Sequence, residues 1–561
     1  MARTHLFDRL ARVARIARTA DRHHLTPEQA AGELDAAAQK HLSRRSLLGG
    51  ALAIGATSLV PWRALGAPQL STRVAVVGAG MAGLACADTL SKWGIEATVY
   101  EAHPHRVGGR VFTARDTFPG QVAENGGEFI DTGHKTMIAY ARELGLPLEN
   151  LERAPGASTF YFDGQHYTED EVVAEYRILV ARMRPDYQAL SGGTTFYSHT
   201  EADRALDHTD LATYLDLRAG DLPLIRKVLT EAYKAEYGLE TSQQSTLSML
   251  YFLHLDRARK FREFGVFSDE RYHVVGGNDA IAHGLAARLP RPVQYGARLT
   301  RLARRAGGEY ELYFNNSPTP ELADAVVSAI PFSVLRGVTL DASLGLSADK
   351  LRAINTLGYG NNAKTMIGFD RRIWAEQGRS GSIYSNLPHV QTTWETNYSV
   401  AGPTGILTDY SSGDRGLALQ RNATGTFGCG GCHSGPATDG VLNPQGEGLI
   451  DSQASDFLRD LDRILPGALF AASRRPDGAL RVQRGHWTPQ PFSRGSYTCY
   501  LPGQFTTVAG LEAEPAGGLK FAGEHADSFY EWQGFMEGAS NSGIAAAQAI
   551  VSDMKKGRLP G

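Results

Sequence analysis

Along most of the chain apolar positions come in short runs, but two stretches are patterned more tightly than the rest. Val74-Ala75-Val76-Val77 is an unbroken apolar run of the kind that fits a strand buried on both faces. Gly78-Ala79-Gly80-Met81-Ala82-Gly83 follows, then a helical pattern from Leu84 to Gly94, then a second apolar run, Ala97–Tyr100, that ends in Glu101. Strand, glycine turn, helix, strand and terminal acid in that order predict a βαβ unit that binds a dinucleotide. Gly78 is expected to make the tight turn, Gly80 to let the backbone approach a pyrophosphate, and Gly83 to let helix and strand pack closely. Met81 and Ala82 open a helix whose free N–H groups and dipole face the phosphates. Glu101 is placed to accept hydrogen bonds from a ribose. Near the other end, Leu519–His525 reads as a strand closing on a turn at Gly523-Glu524. Gly534–Ala539 then opens a helix that continues through Gly543 and Ala547.

Before the first strand the pattern changes character. Arg9, Arg12, Arg15 and Arg18 recur every three residues among Leu6, Leu10, Val13 and Ile16, which makes a basic amphipathic helix. A second helix is expected from Thr26-Pro27-Glu28. Arg44-Arg45 then precede an uncharged stretch, Leu47–Val60, too short for a membrane span and suited to a signal-peptide core. Ala64, Gly66 and Ala67 offer a processing site. Residues 1–67 are therefore expected to be an extended leader with a twin-arginine signal, read by the Tat export machinery and delivering the protein to the periplasm or outside the cell. The basic helix alone would also suit a mitochondrial presequence, but Glu28, Glu33 and Asp35 count against one.

Composition narrows the picture a little. The 561 residues carry a formal net charge of −3 and are 42% hydrophobic, which argues neither for nucleic acid nor for an anionic membrane as partner. Four cysteines, at 86, 429, 432 and 499, are too few for a disulfide scaffold. Cys86 is expected to be a small buried apolar residue. Cys429-Gly430-Gly431-Cys432-His433 has the literal form of a c-type haem attachment site, yet it lies in a glycine-rich insertion. A short-range disulfide, a metal clip completed elsewhere, haem and unpaired thiols are its readings, taken in that order, and no metal-ligating set is assigned.

Residues 101–110, EAHPHRVGGR, follow the first βαβ unit with a second backbone approach at Gly108-Gly109 and a guanidinium at Arg110. Here the chain resembles the flavin amine oxidase superfamily of monoamine, polyamine and L-amino acid oxidases, departing from its pattern by one extra residue and by His103 where an arginine is usual. The resemblance extends over roughly residues 72–550. It implies FAD as cofactor, with Gly126, Gly127 and Glu128 passing close to the flavin and Leu299 covering the adenine. Glu524, after Gly523, would contact the ribityl-phosphate region, and the helix opened by Met536 would lie beneath the flavin pyrimidine edge. Tyr272–Asn278 and Ala329-Ile330-Pro331 resemble further family segments. Lys364 matches a lysine linked to flavin reoxidation, and Tyr497 and Phe535 match an aromatic pair in front of the flavin. Trp487 and Trp532 are further candidates for the wall. Ser496 stands where monoamine oxidases carry a cysteine bonded to the flavin, so FAD is expected to be non-covalent. Cys499 is expected on the opposite face.

The fold expected is α/β plus α+β, with a Rossmann-like FAD domain assembled from residues 70–135, 265–345 and 480–550. A mixed-sheet and helical substrate domain would come from 136–264 and 346–479. The activity implied is oxidative deamination of an L-amino acid to a 2-oxo acid, with oxygen or a quinone as acceptor and a homodimer as the oligomer allowed for. Oxidation of a primary amine or polyamine, or a dehydrogenase passing electrons to quinone, are the alternatives. Residues 127–130 lack the arginine that would hold a substrate carboxylate, leaving Arg262, Arg271 and Arg415 as candidates.

Overall fold

The computed structural model describes residues 72–151, 156–253, 270–421, 427–429, 444–527 and 532–559. The leader, with Arg44 and Arg45, lies outside them, as do Arg262, Cys432 and His433.

Val74–Val77 is buried along its whole length and pairs in parallel with Ala97–Tyr100 on one side and Ala325–Ser328 on the other. Leu519–Phe521 adds a fourth parallel strand beyond Ala325–Ser328. An all-parallel sheet must be covered on both faces, and the helices Met81–Lys92 and Met536–Lys555 pack against each other on this one. Their contact is unusually close: a Cβ on Gly543 would lie 2.0 Å from the carbonyl oxygen of Ala82. Helix and strand also meet closely at Gly83, where a Cβ would lie 1.9 Å from the oxygen of Gly78. Val74–Val77 has later strands on both sides, so its carboxyl end is a topological switch point, the place where α/β sheets open a ligand crevice. Beside it a meander of Leu299–Arg304, Tyr310–Phe314 and Glu321–Ala323 forms a small antiparallel sheet, to which Thr339–Leu340 adds in parallel.

The second layer is an eight-stranded sheet in the order Phe427–Cys429, Val482–His486, Ala363–Phe369, Gly405–Ser411, Thr392–Glu395, Arg379–Ser385, Ala157–Phe162 and Gln165–Tyr167. It is antiparallel except where Arg379–Ser385 meets Ala157–Phe162. Helices from Glu169–Ala189 to Thr246–Leu253 form a cluster beside it, started by clear local signals. Thr168 accepts from the backbone of Glu171 while Glu171 accepts from the backbone of Thr168, a reciprocal cap. Pro223 occupies the first turn of Pro223–Tyr237, and Gly238 ends that helix in the left-handed region. Val172, Leu179, Leu215 and Val228 form the core between these helices. Among the described residues no helix is long and apolar enough to cross a membrane.

The layers cross two of the expected segment limits. Leu148–Asn150 pairs with Tyr272–Val274, and the preceding helix, Lys135–Glu143, is tied to the C-terminal helix by bonds from Thr136 and Met137 N–H to Glu537. The first cofactor-layer segment therefore runs to about residue 150, beyond 135. Val482–His486 belongs to the eight-stranded sheet, although 480 was the expected return to the cofactor layer. Both differences come from long-range strand pairing, which local hydrophobic pattern does not encode.

Candidate active site

One large cavity, with an empty volume of about 1900 Å³ counting the part open to solvent, runs from the switch point to the face of the eight-stranded sheet. Its walls contain Gly78, Gly80, Met81, Ala82, Glu101, Gly109, Arg110, Gly126, Gly127, Glu128, Leu299, Gly523, Glu524 and Met536 from the expected cofactor site. Gly83 sits behind the wall, as a packing residue would. Lys364, Tyr497 and Phe535, from three distant parts of the chain, line the same space.

The nucleotide end is a cradle without side chains. Gly80 and Gly109 face each other so closely that a Cβ on Gly109 would lie 3.2 Å from the Cα of Gly80. The helix starting at Met81 has no side-chain cap and no acid in its first turn, so its N–H groups and dipole are offered to an anion. Glu101 is buried, which pushes its carboxyl up; it is held by the N–H groups of Ala79 and His103, each at 2.7 Å. Its oxygens retain lone pairs for hydroxyl donors. These donors and acceptors fit a dinucleotide, with glycine backbone at the phosphates and a carboxylate at a ribose.

Glu524 is a strut more than a free acid. It accepts from Arg110 at 3.0 Å, from Thr498 N at 3.2 Å and from Gly534 N at 2.8 Å, so it ties three segments together at the cavity wall. Met536 packs its sulfur 3.0 Å from where a Cβ on Gly127 would stand. The uncapped start of Met536–Lys555 opens on the cavity as the first helix does.

At the other end stands a compartment of aromatic rings. Trp394 meets Phe129 and Tyr410 edge-on, with centroids 5.9 and 5.5 Å apart, and the Tyr410 hydroxyl donates to that of Tyr497 at 3.1 Å. Lys364 enters from the central strand and is buried. Its ammonium donates to Glu128 at 2.6 Å, to Gly126 O at 2.9 Å and to Glu124 O at 3.1 Å, while Trp394 Nε1 donates to the other oxygen of Glu128 at 3.1 Å. Glu128 thus serves the lysine as well as the wall. Trp394 and Tyr410 were not singled out from sequence. Tyr410 lies opposite Lys364 in the ladder, a register that only the assembled sheet reveals.

Trp487 reaches the wall and donates to Asn125 O at 2.9 Å. Trp532 does not line the cavity; it covers Gly133 and stacks edge-on against His134 at 4.8 Å. Of the arginines considered for a carboxylate, Arg415 is spent on Glu231 at 2.6 Å, and Arg271 lies against the ring of Tyr272 at 5.5 Å; neither lines the cavity. The partner of Arg415 is 184 positions away, whereas Arg271 lies against its own neighbour in sequence. Cys499 is buried in the helical core. Ser496 lines the cavity and donates to Asn362 at 2.6 Å.

A glycine cradle at a switch point, joined to an aromatic compartment with a buried lysine, defines a flavoenzyme built to receive an amine. The chain belongs to the flavin-containing amine oxidoreductase family, whose model matches residues 81–423 and 451–551. Its cofactor is FAD. The chain is 26% identical to an L-amino-acid oxidase of Siganus canaliculatus over 86% of each chain. Cyclohexylamine oxidase from Brevibacterium oxydans has the same fold, with a TM-score of 0.69 and 20% identity over 86% of this chain and 99% of that one. Putrescine oxidase bound to putrescine matches with a TM-score of 0.67 and 21% identity over 86% and 99%.

A serine hydroxyl cannot form the thioether that would fix the flavin at position 496. Acid precipitation of the purified protein should therefore leave all the yellow colour in the supernatant. Flavin remaining with the pellet would mean a covalent link through another residue.

Proposed function

We propose that this protein is an exported oxidase that deaminates an L-amino acid, giving a 2-oxo acid, ammonia and hydrogen peroxide. Bound FAD supplies the acceptor for the electron pair leaving the carbon that bears nitrogen. The observation that carries the reaction is the buried Lys364–Glu128 pair beside the rings of Trp394, Tyr410 and Tyr497. The rings orient an amine by shape and by their negative faces, and exclude water from the reacting carbon. The fixed ion pair keeps polar contacts at that end without a free charge. A neutral amine arriving there needs no strong base.

Amino acids as substrates are supported by the kinship with the Siganus canaliculatus enzyme along most of both chains. Export through the twin-arginine route, to the periplasm or beyond, is supported by Arg44-Arg45 ahead of the apolar stretch. Oxygen is the acceptor proposed, with a quinone in the dehydrogenase alternative. A second substrate reading, an amine without a carboxylate, is favoured by the compartment itself. Lys364 is neutralised by Glu128, while Arg271 and Arg415 are engaged elsewhere.

Anaerobic titration separates the two. L-Amino acids should bleach the flavin absorbance, whereas their decarboxylated amines should do so at least tenfold less effectively, about 1.4 kcal/mol of discrimination. The opposite order would replace the amino acid by an amine, and bleaching by neither class would remove the oxidase reading.

A further inference from the structure

Behind Glu128 lies a second, smaller chamber, with an empty volume of about 410 Å³ counted in the same way. Glu128 and Phe129 form the wall shared with the cofactor cavity, and Glu124, Glu149 and His273 line the far side. Its lining mixes carboxylates and an imidazole with apolar side chains, and it has room for one bound water. His273 is buried between two carboxylates, its Nε2 2.9 Å from Glu124 and its Nδ1 2.8 Å from Glu149. Glu149 is the outlet: its side chain is 18% exposed and also accepts from the hydroxyl of Ser399. Glu124 is completely buried and further held by Thr113 Oγ1 at 2.9 Å and Asn278 N at 2.8 Å.

The other charges around the chamber are taken. Glu395 is bound by Arg372 at 2.5 Å and by Trp374 Nε1 at 2.6 Å. Arg115, the next cation along, pairs with Asp279. On the cofactor side, all three donors of Lys364 are used within the wall, so a proton leaving the lysine must be replaced through Glu128, whose carboxylate is the one side-chain acid group bonded to it among the described residues.

We propose that Glu128 is the proton gate of the cofactor cavity, fed from solvent through the chamber bounded by Glu149, His273 and Glu124. The inference rests on the oxidase reading above. Dioxygen becomes hydrogen peroxide by taking two electrons and two protons. FAD, where bound, would supply the electron pair together with one proton, and the second proton would come from the Lys364 ammonium. The gate is then reprotonated by chamber water, which is refilled from solvent past Glu149. A quinone acceptor makes the same demand of two electrons and two protons. Burial by itself would lower the affinity of His273 for its proton, but its bonds to Glu124 and Glu149 outweigh that and hold its pKa at about 10. His273 therefore stays charged across the neutral range.

The test avoids the substrate. FAD bound to the full-length protein is reduced with light under nitrogen, then mixed with oxygenated buffer or a soluble benzoquinone. E128Q keeps the size of the side chain and an acceptor for Lys364, yet it should reoxidise about a hundredfold more slowly. Wild type should show a solvent deuterium isotope effect, and formate should speed reoxidation of Glu128→Ala. A second readout is the infrared difference between oxidised and photoreduced protein, in which a carboxylate stretching band that shifts between the two states should be present and should vanish in E128Q. His273→Asn should slow reoxidation too. Because the pKa of His273 is raised on folding, its stabilisation is complete below about pH 6.5 and is lost as pH rises through about 10. The melting-temperature gap between wild type and His273→Asn should close over that interval. Wild-type reoxidation by E128Q, or an unchanged infrared band, overturns the gate. If photoreduced protein behaves as expected while no amine or amino acid bleaches the flavin, the substrate reading alone has failed.

Discussion

Gly83→Ala is expected to purify without FAD. The added methyl would stand 1.9 Å from the carbonyl oxygen of Gly78 and 3.1 Å from its carbon, both backbone atoms of the very turn that cradles the pyrophosphate. Neither can swing aside as a flexible side chain could. The helix must lift from the strand or the turn must open, and either movement displaces the N–H groups aimed at the phosphates. Overpacking of this kind costs about 1–3 kcal/mol in a core that can relax. Here the helix is also pinned from behind by Gly543 against Ala82, so relaxation is restricted. The ratio of flavin to protein absorbance should fall by more than tenfold, and added FAD should no longer raise the melting temperature, as it must when ligand binds only the native state. Gly193→Ala is the control: a Cβ there meets nothing within 4 Å, and it should leave FAD content unchanged. Full occupancy in Gly83→Ala would mean that this turn does not set the cofactor's place.

That prediction could be drawn from sequence because everything it needs is local. Gly78, Gly80, Gly83 and Glu101 act within one βαβ unit, and the structure puts each beside the cavity or directly behind it. The aromatic compartment is a different matter. Trp394, Tyr410 and Lys364 lie on three strands brought together by ladders such as Lys364 to Tyr410, and residue type alone does not specify a register across so many intervening residues. The same holds for Glu128. Its place after Gly126-Gly127 marked it as a neighbour of the cofactor, but its bond to a lysine 236 positions away is a product of the fold. Trp532 shows the opposite error: an aromatic residue close in sequence to Phe535 turns instead to cover Gly133 and His134.

The Lys364–Glu128 pair should show its burial most clearly when only one partner is removed. Both side chains are about nine-tenths or more enclosed, 7% and 6% exposed, so each charge has little water to fall back on. Lys364→Met leaves Glu128 with Trp394 Nε1 as its one remaining donor in the wall. An uncompensated buried charge of this kind typically costs about 3–5 kcal/mol, or the carboxyl takes up a proton instead. Adding E128Q to Lys364→Met removes the stranded charge while leaving an amide that can still accept from Trp394. The double variant should therefore recover at least half of the lost stability in a denaturant titration, a gain of about 1.5–2.5 kcal/mol or more over Lys364→Met. Activity should not recover with it. Turnover should stay about a hundredfold or more below wild type in the double variant, which keeps neither Lys364 nor the Glu128 carboxyl beside the cofactor. Stability that returns without turnover separates the structural work of the pair from its chemical work. If Lys364→Met proved as stable as wild type, the pair would have to be open to solvent in a way its burial excludes. If the double variant regained turnover along with stability, neither Lys364 nor the Glu128 carboxyl would be needed as a proton source, and the chemistry at this end of the cavity would have to be sought in the tyrosines that face it.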